Sequence, residues 1–273
     1  MVDTDKTVRI GGASGFWGDS AAGALQLVQV PGIRYITFDY LAELTMSILA
    51  SAKARNPERG YATDFVDVTV RSILKTCLER GIRLVANAGG INPHACARAV
   101  EQVAQEQGLT VRIAVVDGDD VMPLAPMLRE RGCTDFYSGS PMPERLVSAN
   151  AYLGAVPVCR ALDEGADVVI TGRVVDSAVV LGVLMHEFAW SPTDYDRLSA
   201  GSLAGHMIEC GCQATGGLYT DWEKVPGWAN MGYPVIDCRA DGSFVVGKPD
   251  DTGGLVAAAA VAAPLTGMLP PYP

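Results

Sequence analysis

The chain is short of positive charge: 21 lysines and arginines stand against 31 aspartates and glutamates, for a net charge of −10. Nucleic acid and anionic membrane are excluded as expected partners, because a general affinity for either has to overcome repulsion. No apolar run approaches a membrane span, and the opening Met-Val-Asp-Thr-Asp-Lys lacks the basic start and apolar core of a secretory signal. A disulfide framework is missing too. The seven cysteines, Cys77, Cys96, Cys133, Cys159, Cys210, Cys212 and Cys238, are odd in number and scattered, which suits a reducing compartment. A cytoplasmic protein is expected. Histidine is scarce, three in 273 residues, and His94, His186 and His206 lack metal-site spacing. There is no fixed-period repeat and no low-complexity linker.

What remains is 49% hydrophobic and 19% charged, with 30 glycines spread along the chain, the profile of a packed, enzyme-like globule. A chain of this length buries roughly three quarters of its unfolded surface. Five apolar, β-leaning runs begin at Thr7, Ile33, Ile82, Thr110 and Ala166 and alternate with helical patterns. That alternation predicts an α/β fold: a mainly parallel, doubly wound, Rossmann-like sheet with helices on both faces, over residues 1–190. Residues 191–254 read as a smaller continuation: a helix, an aromatic loop and a hairpin turning at Asp241-Gly242. The alanine- and proline-rich 255–273 reads as a disordered or truncated tail.

In open parallel sheets ligands collect beyond the carboxyl ends of the strands. Here four strands end in a loop of glycine plus polar groups, which predicts a polar pocket on that edge. The first loop holds Gly12, Ser14, Gly15, Trp17 and Asp19 before a helix starting near Ser20. Glycines there free backbone N–H groups to face an anion or carboxylate, although a tight strand-to-helix turn needs the same glycines. The other loops supply Asn87, Gly89, Gly90 and Asn92, then Asp117 to Asp120, then Thr171, Gly172, Arg173 and Asp176; Asp39 closes the second strand. Asn92 also suits a helix cap. Gly12, Gly15, Gly18 and Asp39 imitate a dinucleotide fingerprint, but the spacing departs from G-x-G-x-x-G, so a nicotinamide oxidoreductase is a lesser alternative.

His206, Glu209 and Cys210 are spaced for one helical face, where imidazole, carboxylate and thiol can serve as base, orienting group and nucleophile. Asp176 and Asp117 are the next catalytic candidates. Zinc binding with Cys212 is disfavoured by the Cys-x-Cys spacing, and an Asp117-Asp119-Asp120 cation site competes with solvated or capping roles, so no metal is assigned.

Five stretches carry a resemblance. Arg9-Ile-Gly-Gly-Ala-Ser-Gly-Phe-Trp-Gly-Asp19, Tyr35-Ile-Thr-Phe-Asp-Tyr-Leu-Ala-Glu43, Ala86-Asn-Ala-Gly-Gly-Ile-Asn-Pro93, Val169-Ile-Thr-Gly-Arg-Val-Val-Asp-Ser177 and Gly205-His-Met-Ile-Glu-Cys-Gly-Cys-Gln-Ala-Thr-Gly-Gly217 resemble the acyclic terpene utilisation protein A family. The likeness runs from about residue 7 to about residue 254. It implies a role in catabolism of citronellol- and geraniol-type terpenes, run on branched acyl-CoA thioesters beside biotin-dependent carboxylases. An acyl-CoA or carboxylate lyase or hydratase is the leading expectation, with a CoA thioester as substrate and no cofactor identified. A non-catalytic ligand-binding or assembly subunit of an acyl-CoA carboxylase is the alternative. A homo-oligomer is expected. The resemblance brings no catalytic residues with it. It also implies a longer protein, of which this chain resembles the N-terminal part.

Overall fold

A computed structural model describes residues 6–262. Seven strands form one sheet: β1 (Thr7–Gly12), β2 (Ile33–Phe38), β3 (Arg83–Ala86), β4 (Ile113–Val116), β5 (Val168–Thr171), β6 (Val235–Arg239) and β7 (Phe244–Gly247), in the order β4-β5-β3-β2-β1-β6-β7. β1 to β5 are mutually parallel, so their carboxyl ends share one edge. The hairpin expected around Asp241-Gly242 is β6–β7, which extends this sheet antiparallel to β1.

The strands alternate between two cores. Leu84, Ala86, Val168 and Ile170 face one, Val85 and Val169 the other, and all are essentially buried. This is the period-2 pattern of a strand covered on both sides. The first core is closed by α1 (Ala22–Leu27), α2 (Glu43–Arg55), α3 (Arg71–Arg80) and α4 (Pro93–Glu106). A π-helical segment, Phe65–Val70, leads into α3. α5 (Ala125–Glu130) is a short piece of an exposed excursion. The second core is closed by α6 (Val156–Asp163), α7 (Ala178–Phe188) and α8 (Tyr195–Glu209).

The two faces follow from chain direction. Strands laid outward from β1 to β4 put their right-handed crossovers on one face, and the return through β5 puts the next helices on the other. The order reverses between β3 and β5, whose loops lead to helices on opposite faces. A crevice opens at such a point. Beside the glycine loop no such point exists, because the other neighbour of β1 is the antiparallel β6.

The amino edge carries an ion cluster. Glu187, with a side chain only 3% exposed, meets Lys6 at 2.7 Å and Arg34 at 2.9 Å, and accepts from the Tyr35 hydroxyl at 2.5 Å. Burial works against the carboxylate, but Lys6, Tyr35 and Arg34 hold its pKa below the usual range. A lowered folded pKa gives stability that is present above the unfolded value and lost as pH falls. Glu187→Gln should therefore cost about 2 kcal/mol at pH 7, and much less near pH 3.5. Urea melts at the two pH values test this; an equal loss at both would remove charge as the cause.

Of the segment expected as a tail, residues 255–262 are described: Leu255 N–H donates to Thr215 O at 2.7 Å, 258–262 is helical, and Ala260 is fully buried. Residues 263–273 lie outside the described part.

Candidate functional site

The reversal between β3 and β5 brings the polar loops together. β2 ends in Asp39, β3 in Asn87 and β5 in the loop carrying Arg173 and Asp176. α8 crosses the end of β1 so closely that a Cβ on Gly12 would lie 2.2 Å from Ile208 O, and one on Gly15 2.5 Å from the Cys210 carbonyl. This approach sets Glu209, on the last turn of α8, over the strand ends.

Carboxylate oxygens of Asp39, Asp176 and Glu209 lie within 4.8 Å of one another. Asp39 is 6% and Glu209 4% exposed; the Asp176 side chain, at 30%, is the open side. Asp39 Oδ1 accepts from Asn87 Nδ2 at 2.6 Å and Leu41 N–H at 3.1 Å. Asn87, fully buried, turns its own Oδ1 to Tyr40 N–H at 2.7 Å. Ser14 Oγ donates to the Asp39 carbonyl at 3.2 Å.

Arg173 is the buried cation of the site. Its Nη1 donates to Asp176 Oδ1 at 2.8 Å and to Leu41 O at 3.0 Å, and its guanidinium stacks 4.0 Å from the Tyr152 ring centroid. Glu43 reaches it at 3.9 Å and accepts from the Tyr152 hydroxyl. Asp119 Oδ2 takes the Arg173 backbone N–H at 2.9 Å. Two buried side-chain atoms, Arg173 Nε and Glu209 Oε2, have no hydrogen-bond partner among the described residues.

Burial, reinforced by neighbouring negative charge, governs ionisation. Burial, reinforced by Asp176, pushes Asp39 up to about 7 against the opposing bonds from Asn87 and Leu41. Burial, reinforced by Asp39 and Asp176, pushes Glu209 up to about 9 despite Arg173.

The chain matches the family model described as acyclic terpene utilisation family protein AtuA over residues 8–266. It belongs to this family. No curated protein and no solved structure matches it. Four of the five stretches that resembled the AtuA family in sequence carry Asp39, Asn87, Arg173 with Asp176, and Glu209. No described helix is long and apolar enough to cross a membrane.

Several residues singled out in the sequence take other roles. In the glycine loop of this AtuA-family chain, three N–H groups are taken up within the fold. Gly12 N–H donates to Pro234 O, Ala13 N–H to Thr37 O, and Gly15 N–H to Asp19 Oδ2, at 3.0, 2.9 and 3.0 Å. Asp19 also accepts from the Tyr233 hydroxyl at 3.0 Å, so it braces the loop. Neither loop nor topology adds support to the dinucleotide alternative.

Cys210 is the C-cap of α8, 4.0 Å from Glu209 Oε1, and burial with the surrounding carboxylates pushes its thiol up to about 12. A nucleophilic thiolate needs the opposite environment. His206 Nε2 lies 3.7 Å from Glu209 Oε1, so both sequence neighbours stand beside Glu209, with electrostatics set against thiol attack.

Asp117 is an exposed partner of His94 at 2.7 Å, beyond the outer strand β4. Asp120 caps the Met122 N–H, so the three-acid turn splits into separate roles. Asn92 makes no side-chain cap; its amide ties down Pro57 O and Arg59 O at 2.8 and 2.9 Å. Gly89 N–H donates to Thr171 O at 3.1 Å, Gly90 N–H to Asn87 O at 3.2 Å and Gly172 N–H to Val116 O at 3.1 Å, which locks these loops side by side. Thr171 is fully buried.

Trp17 lines an apolar hollow of about 390 Å³ on the same edge, with Leu49, Ala52, Tyr61, Arg55 and Arg59. A larger cavity, about 570 Å³, lies elsewhere, between β1, β6, β7 and the turn after β7. Neither this cavity nor the Trp17 hollow is lined by a carboxylate of the cluster; the hollow shares its edge of the sheet. Glu43 and Tyr152 were not anticipated. Tyr152 had no signal, since it comes from an irregular stretch that crosses back to the β5 loop through the Leu153–Val174 bridge.

Proposed function

We propose that this AtuA-family chain is an enzyme of terpene utilisation that adds or eliminates a group beside the carbonyl of a branched carboxylate or acyl thioester. One observation carries the reading: a buried unpaired donor, Arg173 Nε, and a buried unpaired acceptor, Glu209 Oε2, share a site with two further carboxylates. A buried polar atom left unpaired costs about 1–3 kcal/mol, which a ligand can recover.

An acyl oxygen is met by the guanidinium, and a carboxylate carries the proton to or from the carbon next to the carbonyl. For hydration, water adds across the α,β double bond, its hydroxyl going to the β carbon and a proton to the α carbon. The hollow at Trp17 suits a branched apolar chain, with Arg55 and Arg59 beside it for an anionic headgroup.

Mass spectrometry of this protein with branched and straight-chain acyl-CoAs and free acids tests this. The expected result is a gain or loss of one small group on branched substrates, slowed at least about 100-fold by Asp176→Asn. Trp17→Ala should raise KM for branched chains more than it lowers kcat. Binding without turnover would favour the assembly-subunit reading, and indifference to Asp176→Asn would overturn the site.

A further inference from the structure

We propose that Asp39, Asp176 and Glu209 together hold one hard divalent cation, of the Mg²⁺, Mn²⁺ or Ca²⁺ class, at the carboxyl edge of the sheet. The inference deepens the site reading above and rests on it for placing chemistry there, but the cation stands or falls on a separate measurement.

The donors are the first ground. All three are carboxylates, from three different elements: the end of β2, the loop after β5 and the last turn of α8. Oxygen-only sets select hard cations over zinc or copper, which favour nitrogen and sulfur. Spacing is the second ground. Ligand oxygens around one ion at about 2.1–2.5 Å are at most about 4–5 Å apart, and the three carboxylates already meet within 4.8 Å.

Glu209 supplies an independent indication. Its side chain is 3% exposed, and Oε2 has no hydrogen-bond partner among the described residues. A buried carboxylate oxygen is stabilised by an N–H donor or by a cation; His206 Nε2 lies 3.7 Å from the other oxygen, Oε1, and Nη1 of Arg173 is committed to Asp176 and the Leu41 carbonyl.

Charge and orientation agree. Once their protons are displaced, three carboxylates against one guanidinium leave two negative charges in a nearly dry site, which one divalent ion cancels. The described bonds to Asp39 and Asp176 fall on Oδ1 in each case, from Asn87, Leu41 and Arg173. Such contacts orient the carboxylates as outer partners orient ligands in metal sites. Asp176 gives an approach from solvent, because its side chain is 30% exposed.

The test is Mn²⁺ binding to chelator-treated protein, followed by electron paramagnetic resonance and calorimetry, with Mg²⁺ and Ca²⁺ as competitors. One Mn²⁺ per chain is expected. Glu209→Gln and Asp176→Asn should each weaken it at least 10-fold, and Glu101→Gln, an exposed change on α4, should not. Melting curves of each variant establish that it is folded. No Mn²⁺ uptake at millimolar concentration overturns the proposal, as does uptake indifferent to both site variants. Stoichiometric binding without turnover on any thioester keeps the cation and removes the enzymatic reading; chelator-insensitive turnover without Mn²⁺ uptake does the reverse.

Discussion

Gly12→Ala is expected to destabilise the protein by about 3 kcal/mol, a fall of roughly 5–10 °C in melting temperature. The added methyl would lie 2.2 Å from the carbonyl oxygen of Ile208 and 3.1 Å from its carbonyl carbon, both backbone atoms. A side chain can turn away from such a clash, but a helix backbone has to move as a whole. α8 would have to lift from β1, and Glu209, the next residue after Ile208, would leave Asp39 and Asp176. Whatever protein remains folded should therefore bind the cation and substrate more weakly. Gly154→Ala is the control, because a Cβ there meets nothing within 4 Å. Thermal melts of both variants decide the point, and a Gly12→Ala protein as stable as Gly154→Ala would mean that α8 does not press on β1.

That contact also marks where sequence reading succeeds and where it stops. The five parallel strands and their helices were legible because burial on both faces writes continuous apolar runs, and β6–β7 announced itself through Asp241-Gly242. The strand-end loops were legible as an edge, and Asp39, Asn87, Arg173 and Asp176 do meet there. The meaning of the glycines was not. Gly-Gly-x-x-Gly was read as an anion cradle or as a tight strand-to-helix turn; that Gly12 and Gly15 make room for the end of α8 shows only in the packing.

Glu209 was chosen for its neighbours in sequence, His206 and Cys210, whereas its electrostatic partners come from β2 and the β5 loop. A helical spacing rule sees three residues on one face. It has no access to two aspartates brought in from 170 and 33 positions away (209 − 39 and 209 − 176). Metal was sought, for the same reason, in the contiguous Asp117-Asp119-Asp120 turn, where local hydrogen bonding and an exposed histidine use the carboxylates.

In chelator-treated protein, Glu209→Gln should raise stability at pH 8 by on the order of 2 kcal/mol while barely changing it at pH 4.5. Burial, with Asp39 and Asp176 beside it, lifts the folded pKa from its ordinary 4.5 to about 9. Between those values the folded carboxyl keeps a proton that the unfolded chain has released, so unfolding sheds a proton and wild-type stability falls as pH rises. Glutamine is neutral throughout and nearly isosteric. The advantage of the variant should therefore grow from about pH 4.5 and level off above about 9. The full gap in pKa sets a ceiling of roughly 6 kcal/mol, and relaxation with water entry through the Asp176 side reduces it. A bound divalent cation inverts the comparison, because it stabilises the wild type through the carboxylate that the variant lacks. Urea melts of both proteins at pH 4.5 and pH 8, with chelator and with Mn²⁺, separate the two regimes. A Glu209→Gln protein less stable than wild type at pH 8 in chelator would show that this carboxylate is already well compensated within the fold, and would remove the electrostatic case for a cation.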